Sequence, residues 1–181
     1  MYYHVSSYIR PGQILTHATK NNYDYCCYVS TCEPSTYKEF LDIYQKLCLS
    51  NAERNSGRKA DKWACEAIFD YVRRTEFPKM PSRIWGIYLT DSMEAAEEFL
   101  RTERDSQRAH IYEVQLPEKA TVFSFDMDIF TKAHDNISEN LGNESSYAFA
   151  IEQAREYWRS TGGKIIELLV DCDVLVRNQR Q

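Results

Sequence analysis

Short apolar strands at uneven spacing, amphipathic helices between them and an ordinary globular composition place this chain in the α+β class. The chain has 181 residues, 43% of them hydrophobic and 27% charged. That length suits one domain with a core large enough to fold alone. No internal repeat, low-complexity tract or linker divides it.

Each element follows from local pattern. Residues 2–9 read as a strand, closed by the Pro11-Gly12 turn signal. Residues 21–33 are polar, tyrosine-rich and irregular. Pro34-Ser35-Thr36 opens a helix whose stripe is Phe40, Tyr44, Leu47 and Cys48. Residues 51–57 form a loop. Trp63, Ala64, Ala67, Ile68, Tyr71 and Val72 repeat on one face, which predicts a helix over 59–75. Phe77-Pro78-Lys79-Met80-Pro81 ends it and imposes an extended link.

Residues 83–90 read as the next strand. Asp91 is the expected N-cap of a helix over 92–102, with Glu94 at the capping-box position and Met93, Ala96 and Leu100 turned inward. Residues 111–116 alternate, with Tyr112, Val114 and Leu116 on one face, as a half-buried strand does. Residues 121–125 are a further strand, and the polar stretch 126–143 reads as a loop or short helix. Tyr147, Ala148, Ile151, Ala154 and Trp158 mark a helix over 144–159, stopped by Gly162-Gly163. Residues 164–170 and 174–176 complete the strands. On this reading helices cluster before Pro78 and strands dominate after it.

Composition excludes some functions. The net charge of -5 argues against a non-specific nucleic-acid coat, which needs a broad basic surface. A local cluster of Arg73, Arg74, Lys79 and Arg83 leaves room for a basic cleft or a solvated surface. The 13 Tyr, 8 Phe and 3 Trp supply flat faces with polar tips, for core and for pockets. Six cysteines match neither a C-x-x-C pattern nor a zinc spacing. With no signal-like start and no run approaching the roughly 20 apolar residues that span a bilayer, the expectation is a cytoplasmic, reducing setting without membrane contact.

One residue breaks its context. Glu167 sits in Lys164-Ile165-Ile166-Glu167-Leu168-Leu169-Val170, a run that otherwise reads as a buried strand. A bare carboxylate there costs several kcal/mol unless it is paired or wet. It either points out of an edge strand, pairs with a core arginine, or serves a site.

Two other segments accompany it. The first strand carries Tyr3-His4-Val5-Ser6, and the middle unit reads Gly86-Ile87-Tyr88-Leu89-Thr90-Asp91-Ser92, then Glu94-Ala95-Ala96. In this order and spacing the chain resembles the ADP-ribosyltransferase superfamily, in the His-Tyr-Glu branch of diphtheria-toxin and poly(ADP-ribose) polymerase type. The resemblance covers residues 2–12, 82–100 and 111–170. It implies one domain over 1–181, a split β-sandwich of two small sheets with flanking helices, and a variable helical insertion over 21–77.

The resemblance also implies roles. NAD would be the co-substrate, and no metal is implied. His4 would hydrogen-bond NAD, assisted by Ser6 and Thr90. Tyr88 would stack on the nicotinamide, and Glu167 would bind the ribose 2'-hydroxyl. Arg10 and Arg83 are candidates for the pyrophosphate, as bidentate donors. Arginine-modifying members carry a second acid two residues before the glutamate. Here that position is Ile165, so arginine is an unexpected acceptor.

The implied activity is mono-ADP-ribosyl transfer to a macromolecule, nucleic acid or protein, by a toxin, effector or phage-defence protein, with a neutralising antitoxin or inhibitor protein as a further partner. The alternatives are an NAD glycohydrolase, an RNA 2'-phosphotransferase and an inactive protein-binding module on the same fold. The phosphotransferase depends on an arginine- and histidine-rich site, and only four His occur here.

Overall fold

A computed structural model describes residues 1–16, 60–102, 108–140 and 143–180. The expected irregular segment 21–33, the helix opened at Pro34 and the loop 51–57 lie outside the described residues. The elements are β1 (Tyr2–Ser6), β2 (Ile14–Leu15), α1 (Ala60–Glu76), β3 (Ile87–Leu89), α2 (Met93–Thr102), β4 (His110–Gln115), β5 (Val122–Asp126), α3 (Met127–Glu139), α4 (Glu144–Arg159), β6 (Ile166–Val170) and β7 (Val174–Arg180). No helix of the described residues is long and apolar enough to cross a membrane.

The protein is α+β, and the described residues form two antiparallel sheets. One has strand order β1-β4-β7-β2, the other β3-β6-β5. Among the described residues a single bridge links them: Tyr3 and Thr90 exchange both backbone hydrogen bonds, each 2.9 Å long. The four-stranded sheet thus hands its edge to the three-stranded one at β1 and β3.

Period-two alternation gives the three-stranded sheet two different faces. Ile87, Leu89, Leu168 and Val170 meet Val114 and Val174 of the other sheet. Tyr88, Phe123, Phe125 and Leu169 join the helical layer built by α1, α3 and α4. Glu167 is paired across the sheet with Phe125. It therefore faces the helices, and this orientation decides what it touches. On the four-stranded sheet, α2 packs against β1 and β4 and buries Ala96.

Several expectations are corrected. Strands do not dominate after Pro78: the expected helices α2 and α4 are joined there by a third, α3. Residues 126–143 hold a full helix, α3, whose Ile129, Phe130, Ala133 and Ile137 are buried at helical spacing. Its polar residues occupy the other face and mask the stripe. Asp126 caps it, accepting from Asp128 N at 3.0 Å. Gly163 is required beside that cap, because a Cβ there would lie 1.9 Å from Asp126 Cγ.

Helix α2 is capped by Ser92, not Asp91, with Ser92 Oγ accepting from Ala95 N at 3.1 Å. The expected strand over 83–90 is only Ile87–Leu89 plus the Thr90 bridge, since Arg83 to Gly86 form a turn. Strand β4 is buried on both faces at Ile111, Tyr112, Glu113 and Val114, because it lies between β1 and β7. Helix α4 ends at the Ser160 C-cap, ahead of the glycines. The last strand runs on to Arg180 rather than stopping at 176.

Candidate functional site

Helix α1 is buried all round from Ala64 to Val72. Such a helix is normally apolar on every face. Here it carries two acids, Glu66 and Asp70, only 3% and 2% exposed. Both grip the segment that leads into β3. Asp70 Oδ1 accepts from Ser82 Oγ at 3.2 Å. Ser82 Oγ in turn accepts from the backbone N–H groups of Ile84 and Trp85, at 3.2 and 3.3 Å. Gly86 N closes the turn on Ser82 O at 2.7 Å, an approach that a Cβ at Gly86 would block at 2.5 Å from the same oxygen. This turn sends the side chain of Arg83 into the helical layer.

Arg83 is 2% exposed, and all three of its guanidinium nitrogens donate hydrogen bonds. Nε donates to Glu66 Oε2 at 2.9 Å and Nη2 to Glu66 Oε1 at 3.0 Å. This is the fork-to-fork geometry that arginine makes and lysine does not. Nη1 donates to the Tyr157 hydroxyl at 2.6 Å and also to Glu167 Oε1. Tyr157 OH donates to the same Glu167 oxygen. The ring of Phe130 lies 4.0 Å from the guanidinium carbon, with Tyr157 at 5.0 Å and Tyr88 at 5.4 Å. A desolvated cation over such faces gains from the ring quadrupoles.

Electrostatics follow from one buried cation between two acids. Burial opposes the charge on Arg83, but the carboxylates of Glu167 and Glu66 outweigh it and hold its pKa well above the ordinary value. Glu167 is pushed up, chiefly by burial, while Arg83 and the Tyr157 hydroxyl work in the opposite direction. Burial also raises the hydroxyls of Tyr157 and Tyr88 well above the usual phenol range, with Arg83 opposing in both.

His4 joins from the other sheet. Its Nδ1 lies 2.8 Å from the backbone carbonyl of Tyr88. Nδ1 therefore carries the proton in this contact, which leaves Nε2 as the acceptor of the neutral ring. His4 keeps part of its surface in contact with solvent. Burial of the imidazole nonetheless lowers its pKa, and the Tyr88 carbonyl acts in the opposite sense.

The three residues of the motif thus stand on neighbouring strands. β1 bridges β3, and β3 pairs with β6. The connection is continuous: His4 to the Tyr88 carbonyl, the Tyr88 hydroxyl to Arg83 O at 2.7 Å, and Arg83 to Glu167. Glu167 keeps 11% of its side chain exposed.

The other candidates are placed differently. Thr90 is at the inter-sheet bridge, with Oγ1 donating to Ser92 O at 3.3 Å. Ser6 Oγ accepts from Tyr8 N at 3.2 Å and is half-buried. Arg10 is exposed, its backbone N–H bonded to Gln13 Oε1 at 3.2 Å. Arg83 is a core cation whose fork is already taken, so in this arrangement a pyrophosphate would have to displace Glu66 or Glu167. Glu66 and Tyr157 were not legible as site residues. The available signal for Glu66 was an acid inside Ala64-Cys65-Glu66-Ala67-Ile68, where a helix otherwise buries every side chain. Tyr157 looks like one more core aromatic beside Trp158 until its hydroxyl is located.

A family model matches residues 2–180, nearly the whole chain. The chain belongs to the family described as "Protein of unknown function (DUF2441)". No curated protein matches the chain. The match spans β1 to β7, so the family segment includes His4, Arg83, Tyr88 and Glu167 together with their buried partners.

Proposed function

We propose that this chain is an NAD-dependent mono-ADP-ribosyltransferase that acts on a macromolecular acceptor. The observation that carries the reading is the convergence of His4, Tyr88 and Glu167. His4 and Tyr88, 84 positions apart, are in contact, and Tyr88 and Glu167 lie on paired strands. Two small antiparallel sheets that meet at the β1–β3 bridge are compatible with the split sandwich of that superfamily.

The chemistry suits the residues. Heterolysis of the nicotinamide–ribose bond leaves the electron pair on nicotinamide and positive charge on the ribose. A nucleophile of the acceptor then bonds to the ribose carbon and loses its proton. A fixed carboxylate stabilises the oxocarbenium-like state, as in glycoside hydrolysis. Glu167 takes that part, Tyr88 offers an aromatic face to the leaving group, and the neutral His4 ring holds the NAD. A toxin, effector or defence role would add a neutralising protein partner.

One observation favours a second reading, a non-catalytic binding module on the same fold. Both hydrogen bonds that reach Glu167 from described residues fall on Oε1, and they describe a buried salt bridge that needs no substrate. Labelled NAD separates the two. Label from the adenylate side should pass to lysate macromolecules with wild-type protein and fall on the order of 10²-fold or more with Glu167→Gln. Protease or nuclease treatment then names the acceptor class. Absence of NAD binding at millimolar ligand would remove the transferase reading and leave the module.

A further inference from the structure

We propose that Arg83 and Tyr157 are the positioning residues of Glu167, and that Glu66 fixes Arg83 for that task. This inference rests on the transferase reading and extends it to residues outside the His-Tyr-Glu motif.

The geometry is asymmetric in a useful way. Arg83 and Tyr157 converge on one oxygen of Glu167, Oε1. Arg83 cannot swing away, because Glu66 holds two of its nitrogens and the Phe130 ring lies 4.0 Å beneath it. Tyr157 is equally fixed: its ring stacks on Phe125 at 4.7 Å and meets Phe69 edge-on at 5.4 Å. The carboxylate is therefore locked in orientation by groups that are themselves locked. Around metal centres, partners that orient a ligating side chain carry about 10- to 100-fold of activity, and a carboxylate oriented in the same way is expected to follow that scale.

The groups facing Glu167 come from three directions. Arg83 precedes β3, Tyr157 projects from α4, and Glu66 stands on α1 beyond Arg83. Tyr88, on β3, adds a neutral hydroxyl, and α3 contributes the uncharged Phe130 ring. The one cation in this set opposes the effect of burial on Glu167. Glu167 must be ionised to stabilise a cationic ribose. Activity is therefore lost as pH falls through its pKa, and weakening Arg83 moves that acid limb to higher pH.

The test compares wild type, Glu167→Gln, Arg83→Lys and Tyr157→Phe in NAD turnover across pH. A parallel ¹³C-carboxyl NMR titration follows Glu167, whose signal is identified by its absence in Glu167→Gln. Arg83→Lys keeps the charge and loses the fork, and Tyr157→Phe removes one hydroxyl and leaves the ring. Both should move the Glu167 titration and the acid limb of kcat upward together. The expected loss in kcat is about 10- to 100-fold, with KM changing much less. Folded variants whose acid limb stays at the wild-type pH would overturn the proposal, even if the NMR titration moves. Should Arg83→Lys not fold, Tyr157→Phe decides by the same readouts. Wild type and Glu167→Gln equally inactive on NAD would instead overturn the transferase reading on which the proposal rests.

Discussion

Glu66 and Asp70 lie one turn apart on α1, equally buried, yet they do different things. Asp70 is served by its own helix: Arg73 Nε and Arg74 Nε each reach it at 3.0 Å, from the next turn. Those arginines are 15% and 26% exposed, so their charge remains partly hydrated. Glu66 is served by Arg83, from beyond the end of the helix and with no access to water. Local pairs at helical spacing add about 0.2–0.5 kcal/mol to an exposed helix. A buried long-range pair is different: its attraction mainly offsets desolvation, and removing one partner leaves a charge stranded. Asp70 therefore serves to anchor the Ser82 turn, while Glu66 belongs to a constellation that ends at Glu167.

The largest test of this contrast is Arg83→Gln. It strands Glu66 in the helical layer and leaves Glu167 to the Tyr157 hydroxyl. Urea denaturation should show a loss of about 3–5 kcal/mol. A loss below about 1 kcal/mol would mean that water or protonation relieves the two acids and that the cluster is not dry. Glu66→Gln comes next. It removes the acceptor of a bidentate charge-assisted contact but leaves Arg83 paired with Glu167, so about 2 kcal/mol is expected from the same measurement. Asp70→Asn should cost less, about 1 kcal/mol, because Arg73 and Arg74 can turn to solvent and the amide still accepts from Ser82. If Asp70→Asn matched Arg83→Gln, the division between anchoring acid and site acid would be broken.

The smallest expected effect concerns His4. Its folded pKa is lowered, so the unfolded chain binds the proton more readily. The contribution to stability is full above the unfolded imidazole value of about 6.5 and is lost as pH falls toward the lower folded value. Thermal unfolding of wild type and His4→Asn from pH 7.5 to 5 should diverge with this sign, wild type losing more stability on acidification. Parallel curves would show that His4 is not held neutral by the fold.

How much of this was legible depends on range. The helix over 59–75 and the helix over 144–159 were visible within a residue of their ends, because a continuous apolar stripe is a local signal. Helix α3 was legible only as a loop or short helix: its stripe of Ile129, Phe130, Ala133 and Ile137 is diluted by the exposed Thr131, Lys132 and Asp135 and by the half-buried His134 and Asn136. Ser92 displaced Asp91 as the α2 cap because both residues are good caps and only the backbone path chooses between them. At the site, the oddity of Glu167 was plain from its apolar neighbours, and so was one way of resolving it, a core arginine. Which arginine was not readable. Arg83 looked like a strand or surface residue because the Ser82–Gly86 turn depends on Asp70, twelve residues upstream.

By itself the sequence determined the α+β class, the main amphipathic helices and the presence of a carboxylate where a strand should be apolar. These are properties of periodicity and composition, and they act over a few residues. Only the tertiary structure decided that Glu167 faces the helices rather than the other sheet. The same holds for the approach of His4 to the Tyr88 carbonyl, and for the meeting of Glu66, Arg83 and Tyr157 at one oxygen. The physical reason is that a buried charge has no local solution. Its partners must come from wherever the fold has a donor to spare, and that is known only once the layers have packed.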